Sequence, residues 1–157
     1  MNTSIDILLV EDSQDDIDLA SYALRQGKLE NCMFVVRDGE EALDFLFCRG
    51  AFSQRDFDHP PKVVFLDLKL PKVNGLQVLK EVKSDLRTKT IPVVIMTSSR
   101  EERDIIEGYD LGVNSFIQKP VDFEQFRSTM KSLGMYWMVF NHPPLHQEAG
   151  HPASGKP

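Results

Sequence analysis

The sequence predicts an α/β protein built around a doubly wound, parallel five-stranded sheet. Short β-rich runs alternate along the chain with longer helical patterns, which is typical of βαβ units. Two of the runs, Ile7–Val10 and Val63–Leu66, are continuously apolar, as strands covered on both faces are. Most of the helical patterns also begin at a capping residue or a glycine. Together these observations predict five strands and five helices in a (βα)5 arrangement.

The predicted strands and the first helix come from local patterns. Ser13 precedes an acid-rich turn containing Asp15 and Asp16, so we expect Ser13 to cap the first helix. That helix is expected to end at Gly27, as its C′ glycine. The predicted strands are Ile5–Val10, Met33–Val36, Val63–Leu66, Ile91–Met96 and Ser115–Ile117.

The next three helices have glycine or capping-box signals. We expect the second helix to begin at Gly39 and to end at Gly50, and the third to begin at Gly75. Ser99 and Glu102 have the spacing of a capping box, which predicts the start of the fourth helix.

The fifth helix, capped by Asp122, has an apolar stripe at intervals of three or four residues. The stripe consists of Phe123, Phe126, Met130, Leu133, Trp137 and Phe140. The run Tyr136–Phe140 is apolar throughout, so its side chains cannot all face one side of a helix. We therefore expect a homodimer whose interface contains Tyr136, Trp137 and Phe140. The alternative is that these residues fold back onto their own monomer.

Two segments lie outside the repeating pattern. Ala51–Pro61 is a polar insertion before the third strand. Residues 141–157 contain four prolines and two glycines, a composition that predicts a flexible Pro/Gly/His-containing tail. We therefore expect one domain at residues 4–140, followed by this tail.

Composition narrows the classes of function. The net charge of −6 and the absence of a basic stripe argue against nucleic-acid binding. No apolar run is long enough to span a bilayer, and the N-terminus does not have the pattern of a signal peptide. Two cysteines without a CxxC motif indicate free thiols, so we expect a cytoplasmic protein.

Charged and hydroxyl side chains follow the ends of four predicted strands. Glu11 and Asp12 follow the first strand, Asp67 the third, Thr97 the fourth and Lys119 the fifth. In an open parallel sheet the carboxyl ends of the strands form one rim, where ligands bind. The sequence therefore predicts that three carboxylates, a hydroxyl and a lysine meet there.

Three clustered carboxylates require a proton or a cation. Two such charges ~5 Å apart repel by ~3 kcal/mol at an effective dielectric constant of ~20. All-oxygen ligands suit Mg²⁺, which also neutralises the charge of an incoming phosphoryl group. An aspartate can attack phosphorus to form an acyl phosphate, while a lysine stabilises the phosphate oxygens. These residue types are therefore suited to binding Mg²⁺ and to phosphoryl chemistry at an aspartate.

The order of these residues, from about Ile5 to Met135, resembles the receiver domain of two-component response regulators. The motifs that carry the resemblance are Glu11-Asp12, Asp67 followed by Lys69-Leu70-Pro71 and Asn74-Gly75, Thr97, and Lys119-Pro120. The resemblance implies a flavodoxin-like (CheY-like) fold and a partner histidine kinase.

The resemblance also implies a role for each acidic residue. Asp67 would be the phosphoacceptor. Asp12 and Asp67 would ligate Mg²⁺, with Glu11 acting through water and Lys69 offering its backbone carbonyl. Lys119 would bind the phosphoryl group.

Further implied roles concern activation. Thr97 would move toward the phosphoryl group, and Phe116 would occupy the aromatic switch position without the hydroxyl of a tyrosine. The bond between Lys119 and Pro120 would be cis.

A narrower resemblance is to the small single-domain regulators that serve cyanobacterial and bacterial phytochrome kinases. It rests on the insertion, the run Asp67–Pro71, the run Thr97–Ser99 and the late Tyr136-Trp137. Because the tail is too short for a DNA-binding domain, output is expected through a partner, a phosphorelay or dimer rearrangement.

Two other classes of function remain open at this point. A phosphatase with an aspartyl-phosphate intermediate usually has a second acid two residues after its nucleophile, and Lys69 occupies that position here. An interaction module that no longer uses phosphorylation would not require the complete set of site residues.

Overall fold

The structure, a computed structural model, describes residues 5–29, 32–119 and 122–144. Its centre is a five-stranded sheet of order β2-β1-β3-β4-β5, in which every neighbouring pair of strands is parallel. The strands are β1 (Ile7–Val10), β2 (Met33–Val36), β3 (Val63–Leu66), β4 (Val93–Thr97) and β5 (Ser115–Gln118). The helices are α1 (Gln14–Gln26), α2 (Gly39–Leu46), α3 (Gly75–Ser84), α4 (Glu102–Asp110) and α5 (Phe123–Met135). The doubly wound (βα)5 prediction is confirmed.

Helices cover both faces of the sheet. Successive strand residues point to opposite sides, so each strand contributes side chains to both cores. One face carries Leu8 and Leu66 and forms a buried core with apolar side chains of α2 and α3. The other carries Leu9 and Phe65 and packs against α1 and α5. This accounts for the continuously apolar sequences of β1 and β3.

The strand ends differ slightly from the prediction. β1 begins at Ile7 rather than Ile5, β4 begins at Val93 and includes Thr97, and β5 extends to Gln118. The later start of β4 follows from Pro92, which has no amide hydrogen for the ladder, although its carbonyl accepts from Val64 N at 2.9 Å.

Most helix starts agree with the prediction. Ser13 and Asp122 cap α1 and α5 by accepting hydrogen bonds from the backbone amides of Asp16 and Gln125. The expected capping box at Ser99 is wrong, since α4 begins at Glu102. Ser99 is instead held at the end of β4, where its amide donates to Thr97 Oγ1 at 3.2 Å.

Helix α1 stops at Gly27 as predicted, but the left-handed residue that follows each of the first two helices was predicted wrongly. At the end of α1, Lys28 rather than Gly27 has the left-handed conformation, with φ of 60°. Its amide donates to Arg25 O and that of Leu29 to Leu24 O, which is the Schellman pattern. Helix α2 ends at Leu46 rather than Gly50, and Cys48, with φ of 54°, has the equivalent left-handed position. Glycine is therefore not the C′ residue of either helix.

The insertion between α2 and β3 packs against the domain. A short 3₁₀ turn, Gly50–Phe52, places the Phe52 ring against Phe34 and Phe45. The Arg55 guanidinium lies 3.7 Å from the centre of the Phe45 ring and donates to the carbonyls of Phe45 and His59. The insertion is thus fixed by an aromatic cluster and one arginine.

Helix α5 continues into a π-helical turn, Tyr136–Phe140. Trp137 is 8% exposed and belongs to the core beside Met130, whereas Tyr136 and Phe140 are 51% and 73% exposed. The alternative of folding back onto the monomer therefore holds for Trp137. The expected cis Lys119–Pro120 bond and residues 145–157 of the expected tail lie outside the described residues.

Candidate functional site

The acidic residues predicted from the sequence meet at the carboxyl ends of β1 and β3. Val10 pairs with Leu66 in the sheet, and the Asp67 amide donates to Val10 O at 3.1 Å, so Glu11 and Asp67 emerge side by side. Carboxylate oxygens of Glu11, Asp12 and Asp67 lie within 4.8 Å of one another. Glu11 and Asp67 are buried, while Asp12 is exposed and open to solvent.

Lys119 reaches this cluster from the end of β5. Its Nζ atom donates to Glu11 Oε2 at 2.7 Å, to Asp67 Oδ2 at 3.1 Å and to Asp16 Oδ2 at 2.7 Å. An ammonium group has three hydrogens, so these contacts use its donor capacity fully. The lysine side chain is 11% exposed and is fixed across the site.

Asp16 is the residue that the sequence interpretation missed as part of the site. It was assigned only to the acidic first turn of α1, where it favours the helix N-terminus. The one signal in the sequence that Asp16 could belong to the site was its position, four residues after Asp12. Whether its carboxylate reaches Lys119 depends on how α1 lies against the end of β5, which one sequence does not give.

The electrostatics of the site follow from burial and crowding. Burial raises the pKa of Glu11 to about 7, and the charge of Asp67 adds to the increase, while Lys119 opposes it. Burial lowers the pKa of Lys119, but hydrogen bonds to Asp16 and Glu11 and the negative charges around it outweigh burial and raise it above its ordinary value. Lys119 is therefore a permanent cation that leaves part of the acidic charge unbalanced.

The donor set suits a hard divalent cation. Three carboxylates that converge within metal-ligand range offer oxygen ligands alone, which Mg²⁺ prefers. Burial raises the pKa of Glu11, and the charge of Asp67 adds to this rise because the two carboxylates repel each other. A divalent cation at this rim would relieve that repulsion.

The predicted switch residues lie on β4 and β5, where the carbonyl of Thr97 accepts a hydrogen bond from the Lys119 amide at 2.7 Å. Thr97 is fully buried at the end of β4, and Phe116 is partly buried in β5. A Cβ atom added to Gly108 would lie 3.2 Å from the Phe116 ring, so this ring packs closely against α4. Ser99 Oγ lies 2.7 Å from Asp104 Oδ2 and joins the end of β4 to the first turn of α4.

The backbone after Asp67 is also near the acidic cluster. The Lys69 amide donates to Asp67 Oδ1 at 3.4 Å, which places this peptide group beside the carboxylate. The expectation that the Lys69 carbonyl ligates a metal stays a prediction.

A profile of the response regulator receiver domain matches residues 7–131. The chain belongs to the response regulator receiver family. The resemblance found in the sequence is therefore confirmed, and a receiver domain is a signalling regulator.

Two curated relatives are similar over most of their length. The response regulator Rcp1 of Synechocystis sp. is 34% identical over 132 residues, which cover 84% of this chain and 88% of Rcp1. The probable methanogenesis regulatory protein FilR2 of Methanothrix harundinacea is 36% identical over 138 residues, covering 88% of this chain and 86% of FilR2.

Solved structures of phytochrome response regulators are also similar. The phosphorylated cyanobacterial phytochrome response regulator RcpA has a TM-score of 0.82 and 38% identity, covering 88% of this chain and 96% of RcpA. The Mn²⁺-bound form of Rcp1 has a TM-score of 0.81 and 33% identity, covering 88% of this chain and 97% of Rcp1. The bacteriophytochrome response regulator RtBRR has a TM-score of 0.69 and 51% identity, with coverage of 88% and 82%. The narrower resemblance to regulators of phytochrome signalling is thus confirmed.

Within residues 5–29, 32–119 and 122–144, every helix is too short or too polar to cross a bilayer.

Proposed function

We propose that this receiver accepts a phosphoryl group on Asp67 from a histidine kinase and works as a phosphorylation switch. The observation that carries the proposal is the contact of 3.1 Å between Lys119 Nζ and Asp67 Oδ2 beside an acidic cluster. A nucleophilic carboxylate, a fixed cation and oxygen ligands for a metal are the groups that phosphoryl transfer to an aspartate needs. The proposed role is signalling rather than turnover of an external substrate.

Mg²⁺ is the proposed cofactor. Asp12 and Asp67 would hold it directly, Glu11 through water, and Lys69 through its backbone carbonyl. When bound, the metal neutralises the negative charge of the incoming phosphoryl group. The Mn²⁺-bound form of Rcp1 supports a divalent cation in this family of sites.

The chain's own residues account for the transfer. A carboxylate oxygen of Asp67 forms a bond to phosphorus as the phosphorus–nitrogen bond of the kinase phosphohistidine breaks, and the histidine nitrogen takes up a proton. Lys119 donates to a phosphoryl oxygen. Because Asp67 is 9% exposed, bulk water is largely excluded from the nucleophile.

Phosphorylation is proposed to act through Thr97 and Phe116. Thr97 would move toward the phosphoryl group, and Phe116 would change its packing against α4. In the loop from β4 to α4, Ser99 is hydrogen-bonded to both Thr97 and Asp104, so movement of Thr97 would reach α4. The result would be a shift between two existing conformations of this face.

The proposed upstream partner is a phytochrome-type sensor histidine kinase. RcpA and RtBRR, which are described as phytochrome and bacteriophytochrome response regulators, support this choice. Free thiols at Cys32 and Cys48 support the expected cytoplasmic location. The net charge of −6 supports a protein partner rather than a nucleic acid.

We also propose a homodimer that uses the exposed rings of Tyr136 and Phe140. Trp137, the third expected interface residue, contributes to the monomer core instead. Phe140→Glu should lower the molar mass measured by light scattering, whereas Leu86→Glu, at a residue 81% exposed elsewhere, should leave it unchanged. A monomeric mass for the native chain at micromolar concentration would contradict the dimer.

The central test is phosphorylation itself. The native protein is incubated with Mg²⁺ and acetyl phosphate, and the mass increase of one phosphoryl group is measured. Asp67→Asn should abolish it, while Asp15→Asn, at an exposed acid of α1, should retain it. Labelling that persists in Asp67→Asn would overturn the assignment of Asp67.

A further inference from the structure

We infer that Asp16 is a positioning residue that competes with the phosphoryl group for Lys119 and so weakens the binding of that group at Asp67. This inference rests on the proposed phosphorylation of Asp67. It assigns Asp16 a function separate from those of the three acids that would hold the metal.

The first observation is the contact with Lys119. Asp16 Oδ2 lies 2.7 Å from Lys119 Nζ, closer than Asp67 Oδ2 at 3.1 Å. Charge-assisted hydrogen bonds of this length are the strong ones. Before phosphorylation, Lys119 is therefore held more closely by Asp16 than by the phosphoacceptor.

The second observation separates Asp16 from the metal ligands. Among the described residues, the acids whose oxygens converge within metal range are Glu11, Asp12 and Asp67, and Asp16 is outside that group. A role through Lys119 therefore fits the geometry better than metal ligation.

The third observation is that Asp16 is fixed in place. It lies in the first turn of α1, where its amide donates to the Ser13 cap at 3.4 Å. The Ser13 amide in turn donates to Glu11 Oε1 at 3.1 Å, so the loop between β1 and α1 is connected to the site. The Asp16 carboxylate is thus presented to Lys119 by the start of a helix, whose dipole favours it.

These contacts have an energetic consequence for an incoming phosphoryl group. Lys119 has three hydrogens, and all three are used by carboxylates. To bind a phosphoryl oxygen, Lys119 must weaken at least one of these bonds. The negative charge of Asp16 also lowers the positive potential that Lys119 presents to the phosphoryl group.

The inference predicts opposite effects on an anion and a cation. Asp16→Asn should bind beryllofluoride, an analogue of the phosphoryl group, ~3- to 10-fold more tightly at saturating Mg²⁺. The same variant should bind Mg²⁺ alone no more tightly than the native protein does, because a negative charge beside the cluster has been removed. Damage to the fold would weaken both interactions.

The experiment is a titration with beryllofluoride and a separate titration with Mg²⁺, each followed by NMR of the backbone amides. Asp16→Glu keeps the charge and should stay within ~2-fold of the native affinity for beryllofluoride. Asp15→Asn removes a charge from the same turn and is not among the carboxylates that bind Lys119, so it should have little effect.

The outcomes separate this inference from the proposed function. If the native protein binds beryllofluoride and Asp16→Asn binds it with equal or lower affinity, the competition is refuted while the phosphoacceptor assignment stands. An equal gain in Asp15→Asn would also refute it, since any nearby charge would then suffice. If the native protein does not bind beryllofluoride with Mg²⁺, both the proposed function and the inference fail.

Discussion

A Cβ atom at Gly75 would lie 2.2 Å from the carbonyl oxygen of Asp67. The two residues are eight positions apart, and the contact arises because α3 begins directly beside the end of β3. The Gly75 amide donates to Leu68 O at 2.9 Å, and Asn74 caps the helix through Gln77 N. The start of α3 and the backbone of the phosphoacceptor are therefore packed without room for a side chain.

Gly75→Ala should consequently destabilise the protein, because the clash is with backbone that must shift. We expect a loss of ~2 kcal/mol or more in the free energy of unfolding, as for other overpacked sites. Urea unfolding gives the value. Gly27→Ala is the control, since its nearest neighbour would lie at 3.6 Å and its φ is −86°, and it should change stability by less than ~1 kcal/mol. Similar losses in both variants would refute the role of the contact.

The stability of the metal-free protein should depend on pH through Glu11. Its pKa is about 7 in the folded protein, above the ordinary value of 4.5, so the folded state binds the proton more tightly. This contribution is fully present below pH 4.5 and is lost as the pH rises through 7, with an upper limit of ~3 kcal/mol. Urea unfolding in EDTA at pH 5 and pH 7.5 measures it.

Glu11→Gln should remove most of that difference, and Glu107→Gln, at an exposed position on α4, should retain it. Saturating Mg²⁺ should reduce the difference in the native protein, because metal ligands must be ionised. The metal-free protein could instead be more stable at pH 7.5 than at pH 5, with Glu11→Gln leaving that difference unchanged. That result would show that Glu11 does not control stability in this pH range.

Trp137 should behave as a core residue. We expect Trp137→Ala to cost ~3–5 kcal/mol, as large truncations in cores do. Trp137→Phe keeps an aromatic ring in the core, so it should cost much less. It also removes the buried Nε1–H, which has no hydrogen-bond partner in the structure. Calorimetric unfolding measures both. Phe140→Ala, at an exposed ring, serves as the control and should change the stability of the monomer by ~0.5 kcal/mol at most.

Arg55 should stabilise the insertion through the shape of its guanidinium group. Arg55→Lys keeps the charge but loses the stacking on Phe45 and the paired donation to two carbonyls, so we expect a loss of ~1–2 kcal/mol. Thermal unfolding measures it. Arg49→Lys, in an exposed ion pair with Asp44, should cost ~0.5 kcal/mol or less, and equal losses would contradict this role.

Features set by short stretches of sequence could be predicted. The strands follow from apolar runs, and the caps at Ser13 and Asp122 follow from a hydroxyl or carboxylate within reach of the next free amides. The convergence of Glu11, Asp12, Asp67 and Lys119 followed from one further rule, that parallel strands end at the same edge. These residues were identified because each comes directly after a strand.

Features that depend on packing between distant segments could not be predicted. Asp16 reaches Lys119 across 103 positions of sequence. The left-handed residues Lys28 and Cys48 were missed because nearby glycines suggested later or simpler helix ends. Ser99 has the spacing of a cap, but Thr97 and Asp104 compete for its amide and hydroxyl groups. In each case a tertiary contact outweighs the local pattern.

The buried position of Trp137 gives the chain an internal optical probe. It is the single tryptophan, and it lies in the layer between the sheet, α1 and α5, whereas Phe116 packs with the core on the opposite face. Indole emission shifts to longer wavelength when the ring meets water, and the Tyr136 ring, 5.1 Å away between centroids, can transfer excitation to it. Intrinsic fluorescence will therefore report loosening of the α1–α5 layer while remaining insensitive to rearrangements confined to α4, so unfolding and switching can be followed by separate signals.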